Sequence, residues 1–424
     1  VFGDREAAVL AAVDEAAVGR TLLELIAIPS VTGSAAESEI QHHLAGRLER
    51  LGLDVDLWPM DLPALRAHPD FPGTEAPREE AWGLVAHTVT RGGGGDGDGP
   101  TVILQGHVDV VPPGDPAAWD GDPFVPRVTG DLVHGRGACD MKGGLAAQLG
   151  ALAAIRAAGV RLRGRVAVHF VVGEEDGGLG AFGTLQRGYG GDACVIAEPT
   201  SRTVITANAG ALTFRITVPG KAAHAGSRAD GVSAIDAYLP LHRALAQLEG
   251  ERNRDPDALL AEYPIPYALS VGTVRAGDWA SSVPDLLVAE GRLGVRLGED
   301  PAVARAALER CVAEACAQDD WLRARPASVT WPGGQFASGR LAAGHPLAGL
   351  VADACADATG APRPRERGAT YGSDLRLYAG AGIPTLQFGP GDVGVAHSAG
   401  EHVSLREVVA TARALALTVM RTVG

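Results

Sequence analysis

Several residue types that bind metals stand directly after short apolar runs in this chain. His107 and Asp109 follow "TVILQG", Asp140 closes "GRGACD", and Glu174 with Glu175 follows "RVAVHFVV". Glu198 ends "ACVIAE", and His397 lies in "GVAHSAGEHV", shortly after "TLQFG". Taken singly, each has an ordinary explanation. His107 fits a satisfied strand-end histidine, Asp140 a helix cap, and the acids beside glycine in "VGEEDGGLG" a solvated turn. Adjacent glutamates repel, however, and burying a carboxylate is costly. Five successive segment ends presenting His, Asp, Glu-Glu, Glu and His in order are hard to read as turns. A mixed imidazole and carboxylate set suits zinc, with cobalt or manganese able to substitute. Positions i and i+2 of a strand face the same way, so Asp109 is placed to orient the His107 ring.

Such ligands need parallel strands to carry them, because the strand C-termini of an α/β sheet open onto its crevice. "TVILQGHVDVV", "RVAVHFVV" and "ACVIAE" read as buried strands, and "ESEIQHHLAGRLERLG" and "GGLAAQLGALAAIRAAG" as helices with glycine stops. The alternation predicts an α/β domain, a mostly parallel sheet with helices on both faces. From about residue 208 the order becomes strand, helix, strand, strand, helix, as in an inserted α+β domain of ferredoxin-like type. The expected division is 1–207 with 325–424 as the catalytic domain and 208–324 as the insert. "ASVTW" is expected to open the return to the larger domain. The tract "RGGGGDGDGP" reads as a flexible turn and not a phosphate loop, since no helix start or Lys-Ser/Thr follows it.

At 424 residues, two domains are expected. A net charge of −14 argues against a sequence-independent nucleic-acid binder or a basic membrane-surface protein. No apolar run reaches the length of a bilayer span, and "VFGDREAAVL" does not read as a signal peptide. The five cysteines show no paired-ligand spacing, and the odd count fits reduced thiols in a cytoplasm.

The ligand set, in this order, resembles the family of acetylornithine deacetylase, succinyl-diaminopimelate desuccinylase, aminoacylase and glutamate carboxypeptidase. "GHVDVVPPGD", "GRGACDMKGG", "GEEDGGLG", "AEPT" and "FGPGDVGVAHSAGEH" carry the resemblance, which spans nearly the whole chain. It implies a hydrolase that uses two zinc ions to activate a water against an amide bond, acting on a small N-acyl amino acid or a dipeptide. Asp140 is then the bridging ligand, His107 and Glu198 complete one site, and Glu175 and His397 the other. Glu174 is implied as general base, and Asp109 as the partner of His107. A cis peptide after Asp140 is implied as well. The insert becomes a lid and homodimer contact whose His224 stabilises the oxyanion in the partner's site, although by itself His224 also fits a plain loop histidine. Arg376 and Ser373, in "TYGSDLR", match a Ser-Asp-x-Arg segment of the family. Arg376 then pairs with a substrate carboxylate, or equally with a nearby acid.

Two departures bear on the substrate. Ala209 stands where desuccinylases carry an arginine, and Ser281 or Ser282 where many relatives have asparagine. These departures argue against a copy of the family's known carboxylate pocket, and "GPG…AHSAGEH" resembles acetylornithine deacetylase more closely.

Overall fold

A computed structural model of the protein describes residues 3–88 and 99–424, so all but the last two residues of the glycine-rich tract lie outside the described part. The chain divides into two compact units. One comprises Val1–Ala207, Arg340–Arg367 and Leu377–Gly424, the other Asn208–Gly339 and Gly368–Arg376.

The larger unit is built on one mixed sheet. Among the described residues, seven of its nine strands are β1 (Leu53–Pro59), β2 (Trp82–Thr88), β3 (Thr101–His107), β4 (Arg165–Val171), β5 (Ala193–Ile196), β6 (Val204–Asn208) and β7 (Thr385–Gln387); the short Gly339–Arg340 and Glu366–Ala369 flank β6. The seven run in the order β1-β2-β4-β3-β5-β7-β6. The central four, β4-β3-β5-β7, are parallel. β1 and β2 on one side and β6 on the other are antiparallel to their neighbours. Every residue of β5 and all but the first of β3 and β4 are buried, so these strands are covered on both faces. That explains their unbroken apolar runs. The helices Gly143–Ala157, Pro346–Thr359 and Leu405–Val423 pack together, while Ala35–Arg50 and Leu179–Gln186 lie against β1, β2 and β4. Ser404 caps the last helix by accepting the Glu407 N–H at 3.2 Å.

The smaller unit follows the β-α-β-β-α-β order. Strands Leu269–Ala276, Leu286–Val295, Gly210–Pro219 and Ser328–Thr330 lie side by side in that spatial order, all antiparallel. In chain order this is 2-3-1-4, the ferredoxin-like arrangement. Alternate residues of Gly210–Pro219, among them Leu212, Phe214, Ile216 and Val218, pack with the helices Ala234–Arg252 and Pro301–Ala317. The segment "ASVTW" therefore does not return to the larger sheet. Its residues Ser328–Thr330 pair with Thr217–Arg215 as the edge strand of the small one. The short polar strand has the pattern of an edge, which local sequence does not assign to either sheet.

Candidate metal centre

Every candidate ligand except Asp140 sits at the C-terminal end of a central strand or in the loop beyond it. β3 ends on His107, β4 runs into the turn holding Glu174 and Glu175, and β5 is followed by Glu198. Asp140 precedes the helix Gly143–Ala157, and a Cβ on Gly144 would stand 2.1 Å from the Ala197 carbonyl oxygen. Glycine there lets the helix start close on the end of β5, which brings Asp140 towards Glu198. The Asp140–Met141 bond is cis.

These side chains converge. The His107 Nε2 lies 3.1 Å from Asp140 Oδ1 and 3.8 Å from Glu198 Oε2. The His397 Nε2 lies 3.4 Å from Asp140 Oδ2 and 3.2 Å from Glu175. One carboxylate thus presents a separate oxygen to each of two imidazoles. Ligand atoms of His107, Glu174 and Glu198 lie within 4.8 Å of one another, as do those of His107, Asp140 and Glu175. Two tetrahedral ligands, each about 2.1 Å from a zinc ion, would be about 3.4 Å apart. The observed spacings and the donor types therefore fit a pair of divalent ions. His107 Nδ1 donates to the Asp109 carbonyl oxygen at 2.9 Å, which leaves the Nε2 lone pair for a metal.

Asp109 meets the His107 ring through its main chain where the sequence suggested its carboxylate. Its carboxylate stands 3.7 Å from His107 Nδ1, and the hydrogen bond to the ring is made by its carbonyl. The carboxylate instead accepts the backbone N–H groups of Glu174 at 3.2 Å and Glu175 at 3.3 Å, and the Thr32 hydroxyl at 2.9 Å.

Close approach of imidazoles and carboxylates shifts the proton affinity of each. Hydrogen bonds to Asp140 and Glu175 raise His397 to about 11. Burial, with repulsion from Asp140, lifts Glu175 to about 7. Burial works against the charge of His107, but Glu198 and the bond to Asp140 outweigh it and push the imidazole well up. Burial likewise opposes ionisation of Asp140, and the hydrogen bonds from both histidines override it, holding the carboxyl well below the usual range. His397 also has a backbone φ of +61°, uncommon outside glycine.

Two supporting residues were not singled out from the sequence. Glu401 accepts the N–H of Cys139 at 3.0 Å and of Asp140 at 3.1 Å, and pairs with the buried Arg136. Its only local signal is its place in "AHSAGEH", four residues after His397.

In the smaller unit, His224 is exposed and its Nδ1 accepts the Gly226 N–H at 3.1 Å. The neutral ring therefore carries its proton on Nε2, as a donor. Arg376 is buried, with Nη1 2.8 Å from the Ser373 carbonyl oxygen and its guanidinium 4.1 Å over the Phe336 ring. The Ser373 hydroxyl accepts the Leu375 N–H at 3.2 Å. Ala209 is buried beside Leu260 and Tyr267.

Residues 103–421 match Peptidase family M20/M25/M40. The chain is 28% identical over 412 residues to the N-formyl-4-amino-5-aminomethyl-2-methylpyrimidine deformylase of Halalkalibacterium halodurans, covering 91% of this chain and 89% of that protein. It is 33% identical over 320 residues to the succinyl-diaminopimelate desuccinylase of Alkalilimnicola ehrlichii, covering 72% and 79%. Its fold is similar to that of human carnosine dipeptidase 1, with a TM-score of 0.76 at 15% identity over 99% of each chain.

Proposed function

Because the chain belongs to peptidase family M20/M25/M40 and is a metallopeptidase-family amidohydrolase, we propose that it removes the acyl group from a small N-acylated amino acid. The observation that carries this reading is the Asp140 carboxylate, whose two oxygens face His107 and His397 separately. Asp140 would bridge two ions, with His107 and Glu198 on one side and His397 and Glu175 on the other. Two zinc ions held there would polarise the scissile carbonyl and ease the ionisation of a water.

The protein's own groups do the rest. Glu174, nearly buried beside His107 and Glu198, accepts the proton of the attacking water and delivers it to the leaving amine nitrogen. Asp109 fixes the main chain of that glutamate through its N–H. His224 Nε2–H donates to the oxyanion of the tetrahedral intermediate in a homodimer paired through the smaller unit. Exposed Ile235, Leu239 and Trp279 on that unit support such pairing. Arg376 is assigned to the substrate carboxylate, with Ser373 beside it. Similarity to a deformylase and a desuccinylase, both named for removing an acyl group, supports deacylation. Free thiols at all five cysteines support a cytoplasmic setting. Among the described residues, no helix is long and apolar enough to cross a membrane.

The test is turnover by zinc-loaded protein of N-formyl, N-acetyl and N-succinyl amino acids together with dipeptides. Preference for an acyl amino acid is expected. Preference for dipeptides would make the protein a dipeptidase or carboxypeptidase on the same scaffold. No metal-dependent turnover of any of them would overturn the reading.

A further inference from the structure

The turn that carries Glu174 and Glu175 is held from behind by a buried ionic cluster. Glu37, on the helix Ala35–Arg50, accepts the Gly173 N–H through Oε1 at 3.1 Å and the Gly33 N–H through Oε2 at 2.7 Å. On the far side of the two glutamates, Asp176 Oδ2 accepts the N–H groups of Glu75 at 3.2 Å and Ala76 at 2.9 Å. One guanidinium joins these two anchors. Arg78 Nη2 is 3.3 Å from Asp176 Oδ1 and 3.5 Å from Glu37 Oε2, and its side chain is wholly buried. A Cβ on Gly173 would stand 2.4 Å from Arg78 Nη1, so the guanidinium lies directly on the turn's backbone.

We propose that Arg78 is a positioning residue for Glu174, acting through Asp176 and Glu37. The inference rests on the reading of Glu174 as general base. Gly173 and Asp176 bracket Glu174 and Glu175 in the chain, so fixing both ends fixes where the base points. Glu37 and Asp176 share this single cation, and the charge of Asp109 acts against both acids. Without Arg78 the two acids that fasten the turn lose the cation between them, and each must stand unpaired or take up a proton in a low-dielectric interior, which disturbs the hydrogen bonds they accept from the backbone. The turn then relaxes, and a shift of about 1 Å in a catalytic group can cost on the order of a hundredfold in rate. Residues 33, 37 and 75–78 all precede residue 103, where the family match begins. The support for the base thus comes from a part of the chain that the match does not cover.

The experiment compares Arg78→Met, Arg78→Lys, Asp176→Asn and the double variant Arg78→Met/Asp176→Asn on the best substrate of the panel above, with metal content and Tm for each. Arg78→Met is expected to keep both metals and to lower kcat by about 30- to 100-fold, with KM changed less than about threefold. Arg78→Lys should recover part of kcat, because it restores the charge without the fork. The double variant should be no slower than Arg78→Met, since one of the two acids left unpaired is gone. Losses that multiply in the double variant would overturn the proposal, as would wild-type kcat in folded, metal-loaded Arg78→Met. If Arg78→Met does not fold, Glu37→Gln and Asp176→Asn decide. Each should lower kcat about tenfold with metals retained, and wild-type kcat in both would overturn the proposal. Glu174→Gln is measured alongside: its retaining turnover would remove the base assignment itself, whereas an inactive Glu174→Gln beside a fully active Arg78→Met would remove only the role of Arg78.

Discussion

Glu401 holds Asp140 by its main chain, accepting the Asp140 N–H at 3.1 Å across 261 residues of sequence. The other carboxylate oxygen pairs with Arg136, and both side chains are fully buried. The loop bearing His397 thereby also fixes the residue that faces it. Arg136→Met removes one half of a buried ion pair and strands the other. It should cost about 3–5 kcal/mol of stability, read by denaturant unfolding, with metal affinity reduced as well. A loss below about 1 kcal/mol would show that Glu401 needs no counter-ion.

The two adjacent glutamates are expected to separate on substitution. Glu174→Gln should keep both metals by elemental analysis and lose nearly all turnover, because an amide cannot accept the proton. Glu175, beside His397, is a ligand in this scheme. Glu175→Gln should therefore lose or weaken one metal. Equal metal loss in both variants would erase the distinction.

Metal binding should be linked to pH. The metal-free His397 and Glu175 hold protons with pKa values raised to about 11 and about 7. At pH 7 the cations must displace the imidazolium protons of His397 and His107 and part of the carboxylic one. Affinity should therefore strengthen as pH rises from about 6 to 8, by about tenfold per unit for each proton released. Calorimetry in buffers of different ionisation enthalpy reads the protons directly. An affinity independent of pH across that range would contradict the protonated cluster.

His224 allows a test by complementation. His224→Ala should be nearly inactive with its metals intact, since losing an oxyanion donor typically costs on the order of a hundredfold. Mixed with Glu174→Gln under subunit exchange, about half of the dimers pair one variant of each kind, and each of these has one intact composite site. Activity should recover to roughly a quarter of wild type. No recovery after confirmed exchange would place His224 in its own chain's chemistry or outside the reaction.

Arg376 separates a binding role from a structural one. A guanidinium that clamps the substrate carboxylate should, when replaced in Arg376→Lys, raise KM about tenfold or more with stability little changed, because lysine lacks the bidentate fork. Its contacts with the Ser373 carbonyl and the Phe336 ring suit a structural arginine as well. In that case Arg376→Lys lowers Tm and leaves KM unaltered.

The donor types, their order and the class of the fold were legible in the sequence. His107, Glu174, Glu175 and Glu198 closely follow apolar runs, because burial on both faces makes β3, β4 and β5 read as continuous hydrophobic segments whatever surrounds them. The order of strands and helices in the insert was equally local. What only the tertiary structure decided depends on distances between segments far apart in the chain. Asp140 gives one oxygen to each histidine, and Asp109 offers its carbonyl to His107 while its carboxylate holds the Glu174 turn. Ser328–Thr330 joined the small sheet because an exposed three-residue edge carries no periodicity to assign it. Arg78 meets Asp176 across 98 residues, Glu37 meets Gly173 across 136, and Glu401 meets Asp140 across 261. A buried ion pair or a backbone cap of that kind depends on where two chain segments come to lie together, and no local pattern marks its partners.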